Sequence, residues 1–166
     1  CLASKHHTST QSECERTFGG SLNAEKRKEI CNGSLNDGPA LCALAIKKQH
    51  VPHGDIVSLC NKAKDATPGE CMKTLNPRNR REHGLTLCTL ATSTLQQDCF
   101  IELTSSTFKG FHSINASAAA SFCSDIHDEG SISCMKAISA LVMNELPAGL
   151  GLGDDVCKQS SLYVYP

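Results

Sequence analysis

The chain has 166 residues and a formal charge of −1, with 40% hydrophobic and 20% charged residues. That length suits one domain or one repeat array, and near-neutrality leaves no global electrostatic case for nucleic acid or an anionic membrane as partner. Aromatic residues are only 4% and tryptophan is absent, so a core must be built from Ala, Leu, Ile, Val and the eleven cysteines, side chains that bury little area each.

The cysteines set the frame for reading the chain in order. Cys1 and Cys14 stand 13 apart, and four further pairs are each 11 apart: Cys31/Cys42, Cys60/Cys71, Cys88/Cys99 and Cys123/Cys134. First cysteines of successive pairs recur after 30, 29, 28 and 35 residues, and Cys157 follows without a partner of its own. A period of this size marks a repeat array. The residue before each later first cysteine is Ile30, Leu59, Leu87, Phe122 or Val156, and the residue four after each second cysteine is Phe18, Ile46, Leu75, Leu103 or Ile138. A cysteine and an apolar side chain at i and i+4 share one helical face. Second cysteines therefore open helices near Cys14, Cys42, Cys71, Cys99 and Cys134, and helices close near Cys31, Cys60, Cys88, Cys123 and Cys157.

Local signals follow this order. Pro39 stands three before Cys42 and Pro68 three before Cys71, which fits proline at a helix entrance. Thr67-Pro68-Gly69-Glu70 reads as a capping box, and Asn76-Pro77 as the end of that helix. Gly54, Gly84, Gly110 and Gly130 fall in predicted loops. The longest predicted helices are 114–126 and 132–146. The rest are short enough, about 8 to 14 residues, that tertiary contacts must hold them. The fold class is therefore all-α, a disulfide-stapled tandem array of helical hairpins resembling a short α-solenoid. One array is expected over 1–166, with units of about 1–30, 31–59, 60–87, 88–122 and 123–156, and with 157–166 an incomplete unit and tail. Beginning inside the repeat phase at Cys1, the chain reads as a processed product or an excerpt. No signal peptide is visible, and no apolar run reaches the about 18 residues that span a bilayer.

Eleven cysteines without a CxxC pair point to bridges in an oxidising compartment rather than to zinc. Two tilings are open. Pairing within units gives Cys1–Cys14, Cys31–Cys42, Cys60–Cys71, Cys88–Cys99 and Cys123–Cys134, with Cys157 unpaired or intermolecular. Pairing between units gives 14–31, 42–60, 71–88, 99–123 and 134–157. The constant spacing of eleven favours the first, as one repeated bridge geometry. Asn32-Gly33-Ser34 and Asn115-Ala116-Ser117 are N-glycosylation sequons at Asn32 and Asn115. The clusters Thr8-Ser9-Thr10, Thr92-Ser93-Thr94 and Thr104-Ser105-Ser106-Thr107 are candidate O-glycan carriers, or plain polar segments.

The tail Leu162-Tyr163-Val164-Tyr165 alternates and is rich in β-formers. It is read as an assembly tail that docks on another copy, since heterologous contacts of this kind give open filaments. His6-His7 and His50-Val51-Pro52-His53 lack a carboxylate or cysteine at usable spacing and are read as exposed histidines, with no metal or cofactor site. Arg78, Arg80 and Arg81, with Lys73 nearby, form a basic cluster in a predicted solvated loop that could meet an acidic polysaccharide. No catalytic residue is identified: there is no Gly-x-Ser-x-Gly elbow and no phosphate loop. Asp128, Glu129, Asp154 and Asp155 read as loop or helix-start acids.

The fragments Leu59-Cys60-Asn61-Lys62-Ala63…Pro68-Gly69-Glu70-Cys71-Met72 and Leu87-Cys88-Thr89-Leu90-Ala91…Cys99-Phe100 resemble tandem Leu-Cys-x-x-Ala…Pro-x-x-Cys-aromatic repeats of secreted and cell-surface proteins from algae, oomycetes and related protists. The likeness is a short pattern over nearly the whole chain. Departures are Gln96 and Ser131 at the proline position and Ile126 at the alanine position. The resemblance implies an extracellular or surface structural role and no chemistry. The expected function is a structural subunit of an extracellular filament or coat, a secreted homo-oligomer partnered by copies of itself. The alternative is a secreted monomeric module recognising a glycan or protein through one face of the array.

Overall fold

The computed structural model describes residues 3–105, 116–126, 128–134 and Cys157. Among them every regular element is helical, and the chain forms two compact units, 1–92 and 93–166. The first unit holds α1 (Ala3–Thr17), α2 (Ala24–Cys31), α3 (Gly38–Ile46), a 3-10 turn (Lys47–Gln49), α4 (His53–Cys60), α5 (Thr67–Thr74) and α6 (Pro77–Cys88). Helices α1–α2, α3–α4 and α5–α6 are three hairpins. The odd-numbered helices pack in one row, α1 on α3 and α3 on α5, and the even-numbered ones in a second row, α2 on α4 and α4 on α6. The second unit holds α7 (Leu95–Thr104) packed on α8 (Ala116–Ser124), and residues 129–134 are also helical.

The phase read from the sequence is the phase of the core. Ile30, Leu59, Leu87 and Phe122 before first cysteines, and Phe18, Ile46, Leu75 and Leu103 after second cysteines, are all buried. Full burial of one such side chain contributes about 1.5–3 kcal/mol. Val156 and Ile138 lie outside the described residues. First cysteines do close their helices, at Cys31, Cys60 and Cys88, while Cys42, Cys71 and Cys99 each sit one turn inside theirs.

The bridges run the other way from the favoured tiling. They are Cys14–Cys31, Cys42–Cys60, Cys71–Cys88, Cys99–Cys123 and Cys134–Cys157. Cys31–Cys42, Cys60–Cys71, Cys88–Cys99 and Cys123–Cys134 are not bonded, Cys14 is taken by Cys31, and Cys157 is bonded rather than left over. Cys1 lies outside the described residues. The reason is physical. A disulfide fixes the separation of two Cα atoms, here 5.5–5.8 Å, and is indifferent to the length of chain it closes. The bridged separations accordingly range from 17 to 24 residues. The constant eleven measures the linker between hairpins instead. Stapled modules thus run from each second cysteine to the next first cysteine.

That linker has a repeated design. The residue three after the first cysteine turns inward: Ser34, Ala63, Ala91 and Ile126 are all buried. In the first three, its N–H donates to the carbonyl of that cysteine (2.9–3.0 Å). The residue five after it accepts a hydrogen bond from the backbone where the next helix opens: Gly38 N–H to Asn36 Oδ1, Thr67 N–H to Asp65 Oδ1, Leu95 N–H to Ser93 Oγ and Ser131 N–H to Asp128 Oδ1. Side-chain acceptors of this kind satisfy helix-start donors. Asp65 therefore opens α5, in place of the capping box expected from Thr67 and Glu70. Hydrogen bonds from the Thr67 hydroxyl and then from its backbone N–H hold the Asp65 carboxyl below its ordinary value. Likewise Asn76 does not end a helix. Its side chain accepts from Asn79 N–H and starts α6, with Pro77 at the first position.

Two glycines set how closely the hairpins stack. A Cβ on Gly38 would overlap the backbone of Ala63 and Lys64 in the next linker, and a Cβ on Gly69 would overlap the Cys42 carbonyl of α3. Gly84, expected in a loop, lies in α6 against the Met72 sulfur.

Candidate functional site

Stacked antiparallel hairpins put their linkers along one edge of the first unit and their loops along the other. The linker edge is tied across hairpins by Asn61, whose Nδ2 donates at 3.3 Å to the carbonyls of Glu29, Ile30 and Asn32 at the end of α2. Orphan carbonyls at a helix terminus need such partners. On the same pair of hairpins, His53 at the start of α4 is hydrogen-bonded through Nε2 to the Glu29 carboxylate of α2.

The loop edge carries two grooves. The first, about 200 Å³, lies between the α1–α2 and α3–α4 hairpins and is lined by Leu22, Lys26, Leu44, Lys47, Val51 and Ile56, among others. The second, about 450 Å³, lies between α3–α4 and α5–α6 and is lined by Lys48, His50, Val51, Asp55, Arg80 and Arg81, with Met72 below. Val51 lines both. His50 closes the 3-10 turn with φ +53°, a left-handed backbone that histidine adopts more readily than branched residues do. It stands exposed beside the second groove.

Arg80 is the side chain that sequence reasoning misplaced most. It lies on α6, not in a solvated loop, and its guanidinium donates to the carbonyls of Met72 (3.0 Å), Lys73 (3.3 Å) and Leu75 (2.7 Å) at the end of α5 and to Gln49 (3.3 Å). The planar fork suits several acceptors at once, and its charge complements a helix C-terminus. Its neighbours divide: Arg78 pairs with Glu82, Lys73 with Glu70, and Arg81 is exposed.

Charge is segregated along the chain. Residues 1–92 hold 13 Lys and Arg against 9 Asp and Glu, a formal +4; residues 93–166 hold 3 against 8, a formal −5.

Of the other predicted sites, Asn32 is exposed in the turn after α2, while Ser34 of its sequon is buried with an Oγ that has no hydrogen-bond partner. Asn115, the tail Leu162–Tyr165, Asp154 and Asp155 lie outside the described residues. His6 and His7 fall within α1. Asp128 opens the helical stretch 129–134, and Ser93 opens α7. Among the described residues no group of three or more His, Cys, Asp or Glu side chains is placed to hold a metal ion, and no helix is long and apolar enough to cross a membrane. No protein-family model matches this chain, and no curated protein or solved structure matches it either.

Proposed function

We propose that the chain is a structural subunit of an extracellular assembly, a filament or surface coat, built by head-to-tail contacts between its cysteine-rich helical repeats. The observation that carries this reading is the translational repetition of one contact. The hairpin α3–α4 receives α1–α2 much as α5–α6 receives α3–α4, row on row. A contact that relates successive units by translation is heterologous, and such contacts propagate instead of closing. Five disulfides place the chain in an oxidising context, in keeping with secretion, and Asn32 on its open turn is the sequon we assign an N-glycan. With Cys157 bonded to Cys134, the contact between copies does not run through a Cys157 bridge. Sedimentation velocity with negative-stain microscopy tests the reading. Oligomers that grow with concentration are expected. A monodisperse monomer at every concentration refutes it and leaves the alternative, a secreted binding module that uses the grooves of the loop edge.

A further inference from the structure

We propose that the hairpin-loop edge of the first unit is a binding site for a linear anionic glycan, one carrying sulfate or carboxylate groups along its length. The inference stands on the two grooves and holds whether or not the chain assembles with itself.

Four cations make the case. Lys26 and Lys47 line the first groove, and Lys48 and Arg81 line the second. All four are exposed, and none is held by an ion pair or hydrogen bond to another described residue. Of the other cations in this unit, Lys73 is occupied by Glu70, Arg78 by Glu82, Arg16 by the Ser12 carbonyl and Arg27 by the Gly19 carbonyl, while the exposed Lys28, Lys62 and Lys64 line neither groove. His50 adds a fifth basic group, and among the described residues Asp55 is the only carboxylate lining either groove. Part of the positive excess of residues 1–92 is thus left unneutralised at this edge.

The shape of the site selects among polyanions. The grooves adjoin at Val51 and lie side by side along the stacking direction, which suits an extended polymer laid across hairpins. The first groove's half-buried Leu22, Leu44, Val51 and Ile56 offer apolar contact to the C–H faces of sugar rings. A folded partner presenting a helix about 10–12 Å across would not enter a groove of about 200 Å³. A single-stranded nucleic acid is held on exposed stacking platforms such as Phe, Tyr or Trp, and among the described residues the one such side chain lining either groove, Phe18, is buried. A membrane surface would need apolar side chains to insert. The exposed ones, Leu35, Leu41, Leu90 and Ile101, line neither groove.

The test is a binding titration of the whole protein against dextran sulfate and polygalacturonate, with neutral dextran, poly-glutamate and phosphatidylserine vesicles alongside. Binding to at least one of the two anionic polysaccharides is expected, weakening at least tenfold between about 50 and 200 mM salt, as multiple-charge contacts do; whichever binds more tightly distinguishes sulfate from uronate. The variant K26Q/K47Q/K48Q/R81Q should lose about tenfold or more, and K47Q/K48Q, which alters only exposed side chains, about threefold. The linker-edge variant K62Q/K64Q should stay within about twofold of wild type, and Asp55→Asn should bind more tightly. Equal losses from the two edges, no binding to either polysaccharide, or tighter binding to poly-glutamate or to vesicles would each overturn the proposal.

Discussion

Replacing Gly69 by alanine tests the stacking of hairpins directly. Gly69 lies within α5, where helix propensity alone favours alanine by about 1 kcal/mol. The structure reverses the sign. The added methyl would overlap the Cys42 carbonyl oxygen, fall 2.9 Å from the carbon that carries it and 3.0 Å from the Ala45 Cβ. Backbone cannot rotate aside as a flexible side chain can, so α3 and α5 must part by roughly 1 Å, a gap that forfeits about a quarter to a half of the dispersion attraction across the contact. Overpacking of this kind costs about 1–3 kcal/mol, and no disulfide joins α3 to α5 to resist the separation. Set against the propensity gain, a net loss of about 1 kcal/mol is expected, which for a unit of this size lowers the melting temperature by roughly 5 °C. Gly54→Ala is the matched control. It also lies in a helix, nothing stands within 4 Å of its added methyl, and it should raise the melting temperature by a few degrees. Calorimetry of both variants decides the matter. A G69A protein that melts at or above the wild-type temperature refutes the close approach of α3 and α5.

Three further outcomes follow from the same packing. Arg80→Lys keeps the charge but not the fork, so the α5 carbonyls lose most of their partners; a loss of about 1–3 kcal/mol by urea denaturation is expected, against no measurable change if Arg80 were merely solvated. The variant C71A/C88A should lose about 3 kcal/mol by the chain-entropy estimate, with a further loss from the emptied buried site. Asp65 gives a pH signature. Its folded carboxyl lies below 3.8, so its contribution is fully present above about pH 4 and fades as pH falls through the folded value. Asp65→Asn keeps the acceptor at every pH, and its stability relative to wild type should therefore rise between pH 5 and pH 2; a flat difference contradicts the assignment.

Much of this architecture is legible in the residues themselves. The shared phase of cysteines and apolar side chains places helices and buried positions because one helical face must do both jobs. The linker motif was equally readable. Asn36, Asp65, Ser93 and Asp128 stand at the same offset from their cysteines and are all side chains that open helices. The capping-box reading instead favoured Thr67 because Thr-x-x-Glu is a stronger local pattern, although the backbone turns two residues earlier. Bridge pairing was not legible from spacing, since eleven residues describe the linker's path and a disulfide carries no memory of loop length. Arg80 and Asn61 were invisible for a related reason. Each satisfies carbonyls at the end of another helix, and no local pattern encodes that meeting. The grooves are hidden likewise, because Lys26 and Lys47, or Lys48 and Arg81, come together only when hairpins stack.

The central claim is that each staple closes a hairpin rather than a linker, and one tryptic map without reduction tests it. Trypsin releases Cys60 in the peptide 49–62, Cys42 in 29–47 together with Cys31, and Cys71 in 65–73. The structure requires 49–62 to be disulfide-linked to 29–47, through Cys42–Cys60. Recovery of 49–62 linked to 65–73, with 29–47 closed on itself, would contradict the account.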